Sequence, residues 1–187
     1  MLEIRWHSRA GQGAVTGAKG LGAMVAETGK EVQAFAFYGS AKRGASMTAY
    51  NRIDDKPILN HEKYMRPDYV FILDPGLAYT DDITMNTKED TKYIITSHLP
   101  KEELISSIPE LQGNEKNVFV LDCLQISRDT IGRPIPNTPM LAAFMKVSGM
   151  FELEDFKERI VHVLKKLPDN VKQANLKAID RAFNEVK

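Results

Sequence analysis

The 187-residue sequence predicts an α/β fold: a mixed, mostly parallel sheet with helices on both faces and a helical C-terminal part. Three observations predict it. A strand-like opening runs into a glycine loop and then an Ala/Gly-rich helix. Three short runs, 68–74, 91–96 and 117–122, are apolar nearly throughout, as strands buried on both faces are. From residue 123 onward the pattern is helical.

In chain order, residues 2–7 read as the first strand. Leu2 and Ile4 alternate with Glu3 and Arg5, a period near 2, with His7 grouped with the first pair and Trp6 with the second. The stretch from Ala14 toward Gly29 reads as a helix whose Gly17, Gly20 and Gly22 lower helix propensity, which implies close approach to a sheet or another chain. Gly29 reads as its C-cap. Residues 30–38 and 45–53 read as strands joined by a short loop, hence an antiparallel pair. Helices are predicted over 123–130, 138–148, 153–167 and about 171–186. The helix from Met140 to Val147 is apolar on nearly every side, so it is buried in the core or against another subunit. At 21.0 kDa the chain suits one domain, 1–187, with 168–187 as a helical appendage set off by Pro168.

Composition excludes several function classes. Lys plus Arg and Asp plus Glu number 25 each, so neither nucleic acid nor an anionic membrane meets a net basic surface. No apolar run reaches the ~18 residues of a membrane span, and the start lacks a signal-like apolar core. The cytoplasm is the expected compartment. The single cysteine, Cys123, can neither pair within the chain nor hold an iron–sulfur cluster, which needs about four thiolates. The four histidines lack ligand spacing, so no metal site is expected. No catalytic set emerges. His7 at a strand end, Cys123 after a buried strand, and Asp74 and Asp122 as helix caps all have structural readings.

The glycine loop carries the sharpest chemistry. A strand, a Gly-x-Gly turn and a helix leave the first helical N–H groups unpaired and aimed at one spot. Gly11 and Gly13 let the backbone approach a ligand, while Arg9 and Lys19 add charge. The loop matches neither dinucleotide nor nucleotide-triphosphate fingerprints, and an acidic ribose ligand is missing after the second strand. An anion site and a purely packing turn both stay open here. A second feature, Phe37 to Ser46, sets Lys42 and Arg43 in a glycine-bounded loop. It reads either as a solvated turn or as a clamp for a phosphate or a partner's carboxylate, with Tyr38 suited to an interface.

These residues resemble a family. Arg9-Ala10-Gly11-Gln12-Gly13-Ala14-Val15-Thr16, then Tyr38-Gly39 with Arg43-Gly44, then Arg52-Ile53 with Pro57-Ile58, resemble the gamma subunit of the 2-oxoacid:ferredoxin/flavodoxin oxidoreductases, pyruvate synthase above all. Asp122, Gly132 and Asn137-Thr138-Pro139-Met140-Leu141 extend the likeness. Ser8 and Ala10 stand where the family writes glycine. The resemblance implies a subunit, inactive alone, of a complex that converts a 2-oxoacid to an acyl-CoA and CO2. Thiamine diphosphate, Mg2+ and iron–sulfur clusters are then expected on alpha, beta and delta partners, with ferredoxin or flavodoxin as acceptor. It further implies that Arg9, Gly11, Gln12, Gly13 and Lys19 meet a phosphate of coenzyme A; the expectation that Tyr38, Lys42 and Arg43 face a partner rests on the chemistry of their loop. A purely structural subunit is the alternative.

Overall fold

A computed structural model describes residues 1–38, 45–60, 62 and 65–187. Lys42 and Arg43 lie outside the described residues, as do both glycines of their loop. The six strands among the described residues are β1 (Leu2–Arg9), β2 (Glu31–Tyr38), β3 (Ser46–Asp54), β4 (Tyr69–Ile72), β5 (Lys92–Thr96) and β6 (Val118–Leu121). They form one sheet in the order β2-β3-β1-β4-β5-β6. β3 pairs antiparallel with both β2 and β1, and β1, β4, β5 and β6 pair in parallel. Five strands therefore run one way and β3 runs against them. The short 38–45 connection does join an antiparallel pair, as its length implies.

The helices are α1 (Ala14–Ala26), α2 (Leu77–Thr80), α3 (Lys101–Ser106), α4 (Cys123–Ile131), α5 (Asn137–Ser148), α6 (Leu153–Val163) and α7 (Asp169–Glu185). Two separate apolar clusters show which face each covers. Ile4, Trp6, Phe71 and Ile94 pack with residues of α1, α4, α5, α6 and α7. Val70, Ile72, Tyr93 and Ile95 pack on the other side with Leu77, Leu104, Ile105 and Leu111. Helices thus cover both faces, with α2 and α3 too short for the sequence pattern to announce. Gly29 is not the cap of α1: that helix ends at Ala26 with Glu27 as its cap, and Gly29 follows in a left-handed turn at φ 84°.

One sequence expectation changes, and one open alternative closes. Trp6 shares the face of Leu2 and Ile4, and His7 shares that of Glu3 and Arg5, because strict alternation persists to the end of β1. The segment from Met140 to Met145 is buried within this chain's own core, between α1, α6 and α7, and needs no partner to cover it. The stretch 168–187 is mostly α7. Its Ala178, Ile179 and Ala182 are fully buried in the same cluster, and Asn175 accepts a hydrogen bond from the Thr138 hydroxyl at 2.8 Å. Lys187 then pairs with β6 through Val120, N–H to O at 2.9 and 3.2 Å. That contact covers part of one sheet edge.

Candidate functional site: the glycine loop at the carboxyl end of β1

The connection leaving β1 passes over one face through α1, and the connection leaving β4 passes over the other through α2. Adjacent parallel strands whose connections diverge open a crevice at their carboxyl ends, where α/β folds hold ligands. The glycine loop lies on one side of this crevice and Asp74 on the other.

The loop is tightly shaped. Gly11 and Gly13 have φ of 96° and 86°, in the left-handed region that favours glycine. A Cβ on Gly11 would meet open space, whereas one on Gly13 would stand 2.8 Å from Asn137 Nδ2. Gly13 is therefore also demanded by packing, and its carbonyl accepts from Asn137 at 3.4 Å. Gly17 is required by Trp6, 2.9 Å from a hypothetical Cβ. Gly13 precedes α1 without a capping side chain, and the N–H groups of Ala14, Val15 and Thr16 have no partner among the described residues. The positive end of a 13-residue helix thus faces the crevice.

Gln12 is turned inward. Its N–H donates to the Arg9 carbonyl at 3.2 Å, so that amide serves the turn itself rather than the crevice. Its side chain links the Arg9 N–H, accepted at 2.9 Å, to Asp74 Oδ2, reached at 2.7 Å. Arg9 Nε stands 3.3 Å from Asp74 Oδ1, so its charge is partly matched. Lys19 is exposed on α1, five residues or about 7.5 Å beyond the helix start. It lines a small cavity of ≈ 200 Å³ with Val15, Ala36 and Tyr38. Tyr38 is 68% exposed at the end of β2. The structure thus brings Arg9, Gly11, Gln12 and Gly13 into one turn and sets Lys19 with Tyr38 beside it.

Sequence reasoning missed Asp74 and Asn137 as partners of this loop. The sole hint was that Asp74 ends a strand. His7, 4% exposed, gives Nδ1 to Asp81 Oδ2 at 2.9 Å and takes no part in the loop. Burial, above all, holds it below the ordinary histidine value despite Asp81. Cys123 is fully buried, and burial pushes its thiol up to about 12, which removes it as a nucleophile. Asp122 caps α4 by accepting the Gln125 N–H at 2.9 Å. Among the described residues no cluster of three metal-ligating side chains occurs, and no helix is long and apolar enough to cross a membrane. A larger cavity of ≈ 510 Å³ opens at the far end of the sheet, where Asp54, Asp55 and Asp68 are paired with the Met1 amine, Lys30 and Lys88.

The family model for pyruvate ferredoxin/flavodoxin oxidoreductase matches residues 3–185. The pyruvate/ketoisovalerate oxidoreductases common subunit gamma of Thermococcus kodakarensis is 38% identical over 185 residues, 99% of this chain and 97% of that one. The crystal structure of pyruvate oxidoreductase subunit PORC from Thermotoga maritima superposes with a TM-score of 0.82 at 36% identity, over 100% of this chain and 97% of that one. A 2-oxoglutarate:ferredoxin oxidoreductase from Magnetococcus marinus, solved with 2-oxoglutarate, coenzyme A and succinyl-CoA bound, shares the fold at TM-score 0.73 and 19% identity, over 97% of this chain and 30% of that one. Matched across nearly its whole length, this chain belongs to the pyruvate ferredoxin/flavodoxin oxidoreductase family.

Proposed function

We propose that this chain is the gamma subunit of a pyruvate-type 2-oxoacid:ferredoxin/flavodoxin oxidoreductase of the cytoplasm, and that its glycine loop docks a phosphate of coenzyme A. The observation that carries the reading is the uncapped start of α1 at the β1/β4 crevice, with Gly11 open to solvent. The N–H groups of Gly13 to Thr16 supply donors there, and Arg9 and Lys19 supply charge. Thiamine diphosphate, Mg2+ and iron–sulfur clusters belong to alpha, beta and delta partners in this reading, since the chain's one cysteine is sealed in its core. The chain's own part is to bind and orient coenzyme A and to hold the assembly together.

The partner-facing surface follows from the sheet edges. β6 is partly covered by Lys187, while β2 is an edge strand whose Phe37 and Tyr38 are exposed. An open edge that ends in exposed aromatic side chains suits another chain. We assign this side, with Tyr38, to contact with another subunit of the complex.

One set of observations favours the scaffold reading instead. Gly13 and Gly17 are needed for contact with Asn137 and Trp6, and Arg9 already has Asp74. Kinetics of the assembled enzyme separate the two. A charge-assisted hydrogen bond contributes about 1.5–3 kcal/mol, equivalent to roughly tenfold to hundredfold in affinity. Arg9→Ala or Lys19→Ala should raise the KM for coenzyme A by that order and leave the KM for the 2-oxoacid nearly unchanged. An unaltered coenzyme A dependence in both variants would make the loop a packing element and the chain a scaffold.

A further inference from the structure

Gln12 and Asp74 meet from opposite sides of the β1/β4 crevice, and each atom of the contact has a fixed polarity. Gln12 Nε2 donates to Asp74 Oδ2 at 2.7 Å. Gln12 Oε1 accepts from the Arg9 N–H at 2.9 Å and from the Ser8 hydroxyl at 3.3 Å. Asp74 Oδ1 accepts from the Gly76 N–H at 3.0 Å and stands 3.3 Å from Arg9 Nε. Residue 12 must therefore accept at one terminal atom and donate at the other, which among acyclic side chains of this length glutamine does and glutamate cannot. Residue 74 must accept with both oxygens, which asparagine cannot.

A loop with two left-handed glycines has wide backbone freedom by itself. Here the Gln12 side chain removes that freedom by tying the start of the loop, at Arg9, to the end of β4. The uncapped N–H groups that follow stay aimed at the crevice before any ligand arrives. Ordering a loop on binding weakens affinity, and a loop ordered in advance avoids that loss.

We propose that Gln12 and Asp74 form a positioning pair that presets the glycine loop for coenzyme A, a role that rests on the coenzyme A reading above. Neither side chain contacts the ligand in this arrangement. Asp74 acts through Gln12, and it also fixes the direction of the Arg9 guanidinium.

The test exploits polarity. Gln12→Glu sets a carboxylate against a carboxylate, and Asp74→Asn sets an amide donor against a donor. The double variant Gln12→Glu/Asp74→Asn reverses the bond, with residue 74 donating and residue 12 accepting. The remaining carbonyl oxygen at position 74 still accepts from the Gly76 N–H, and net charge is conserved. Each variant gamma chain is assembled with its partners, and two quantities are measured: the KM for coenzyme A beside that for the 2-oxoacid, and hydrogen exchange of the amides from 10 to 16 without coenzyme A. Each single variant should raise the KM for coenzyme A by roughly tenfold, as loss of one charge-assisted bond does. Each should speed exchange in the loop, and the double variant should return both quantities to within about twofold of the parent. If a single variant fails to assemble, the double variant carries the test alone and must assemble with the parental KM and exchange.

Unchanged exchange in the single variants would overturn the pair as a brace. Faster exchange that the double variant does not restore would reduce its effect to general destabilisation and overturn the proposal too. Exchange that rises and is restored, with the KM for coenzyme A unmoved throughout, would instead contradict the coenzyme A reading, and the positioning role would fall with it.

Discussion

On one face of β1, Leu2, Ile4 and Trp6 pack against Phe71 and the long helices; on the other, Glu3, Arg5 and His7 are nearly as buried yet ionisable. The apolar face is held by area and shape. The Trp6 ring meets Phe71 edge-on at 4.7 Å, and its N–H donates to Asn51 Oδ1 at 2.9 Å. The charged face is held by direction. Arg5 donates to the Met85 and Ile83 carbonyls at 2.6 and 2.7 Å. Arg52, fully buried, meets Glu3 at 3.0 Å and reaches the Asn60 and Glu62 carbonyls. A buried charge is tolerated when such partners surround it. The difference teaches where the chain spends specificity: one face glues the helices to the sheet, and the other holds the backbone at Asn60, Glu62 and Arg66 and the irregular stretch 81–87, which have no helix to hold them.

The largest effect on this contrast should come from Trp6→Ala. Removing a fully buried aromatic costs about 3–5 kcal/mol, and denaturant unfolding of the purified chain should show it. A loss under about 1 kcal/mol would mean that the apolar face collapses to fill the gap. Next comes Glu3→Ala, which leaves the Arg52 guanidinium buried without its carboxylate. The expected loss is about 3 kcal/mol. Because Glu3 Oε2 also accepts the Arg66 N–H at 3.0 Å, proteolysis next to Arg66 should accelerate ahead of the rest of the chain.

A smaller effect concerns pH. Burial, opposed by Asp81 and aided by Arg5, lowers the His7 pKa from 6.5 in the folded chain. The unfolded chain takes up that proton near 6.5 and the folded chain resists it. The contribution of His7 is therefore lost as pH falls below about 6.5. Subtracting the pH profile of His7→Gln from that of the parent should isolate this decline, and parallel profiles would contradict it. The smallest effect is on Cys123, whose thiol at about 12 should take up no alkylating reagent at neutral pH until the chain unfolds. Labelling of the native chain would show that the apolar face opens locally.

Much of this architecture was legible. Apolar runs located β4, β5 and β6, and the strand–glycine–helix opening located the loop. What the sequence concealed lies in contacts between distant residues. Asp74 meets Gln12 from 62 positions away, and Asn137 meets Gly13 from 124. Neither pairing leaves a local pattern. The phase of β1 is easily misread because a charged row on a buried face looks like a solvent face until Arg52 and the carbonyls of 83 and 85 are seen to satisfy it. The apolar pattern of α5 fits the core and a partner equally, and the packing around it selects the core. Short α2 and α3 lack enough turns to show a period.

The central claim is that the start of α1, preset by Gln12 and Asp74, receives a phosphate of coenzyme A. The most direct measurement is a structure of the assembled oxidoreductase with coenzyme A bound. It should place a phosphate oxygen within hydrogen-bond distance of the N–H groups of Gly13 to Thr16, about 2.7–3.2 Å, with the Gln12–Asp74 bond intact. Coenzyme A bound with its phosphates on other chains, and the loop packed against protein alone, would contradict the account.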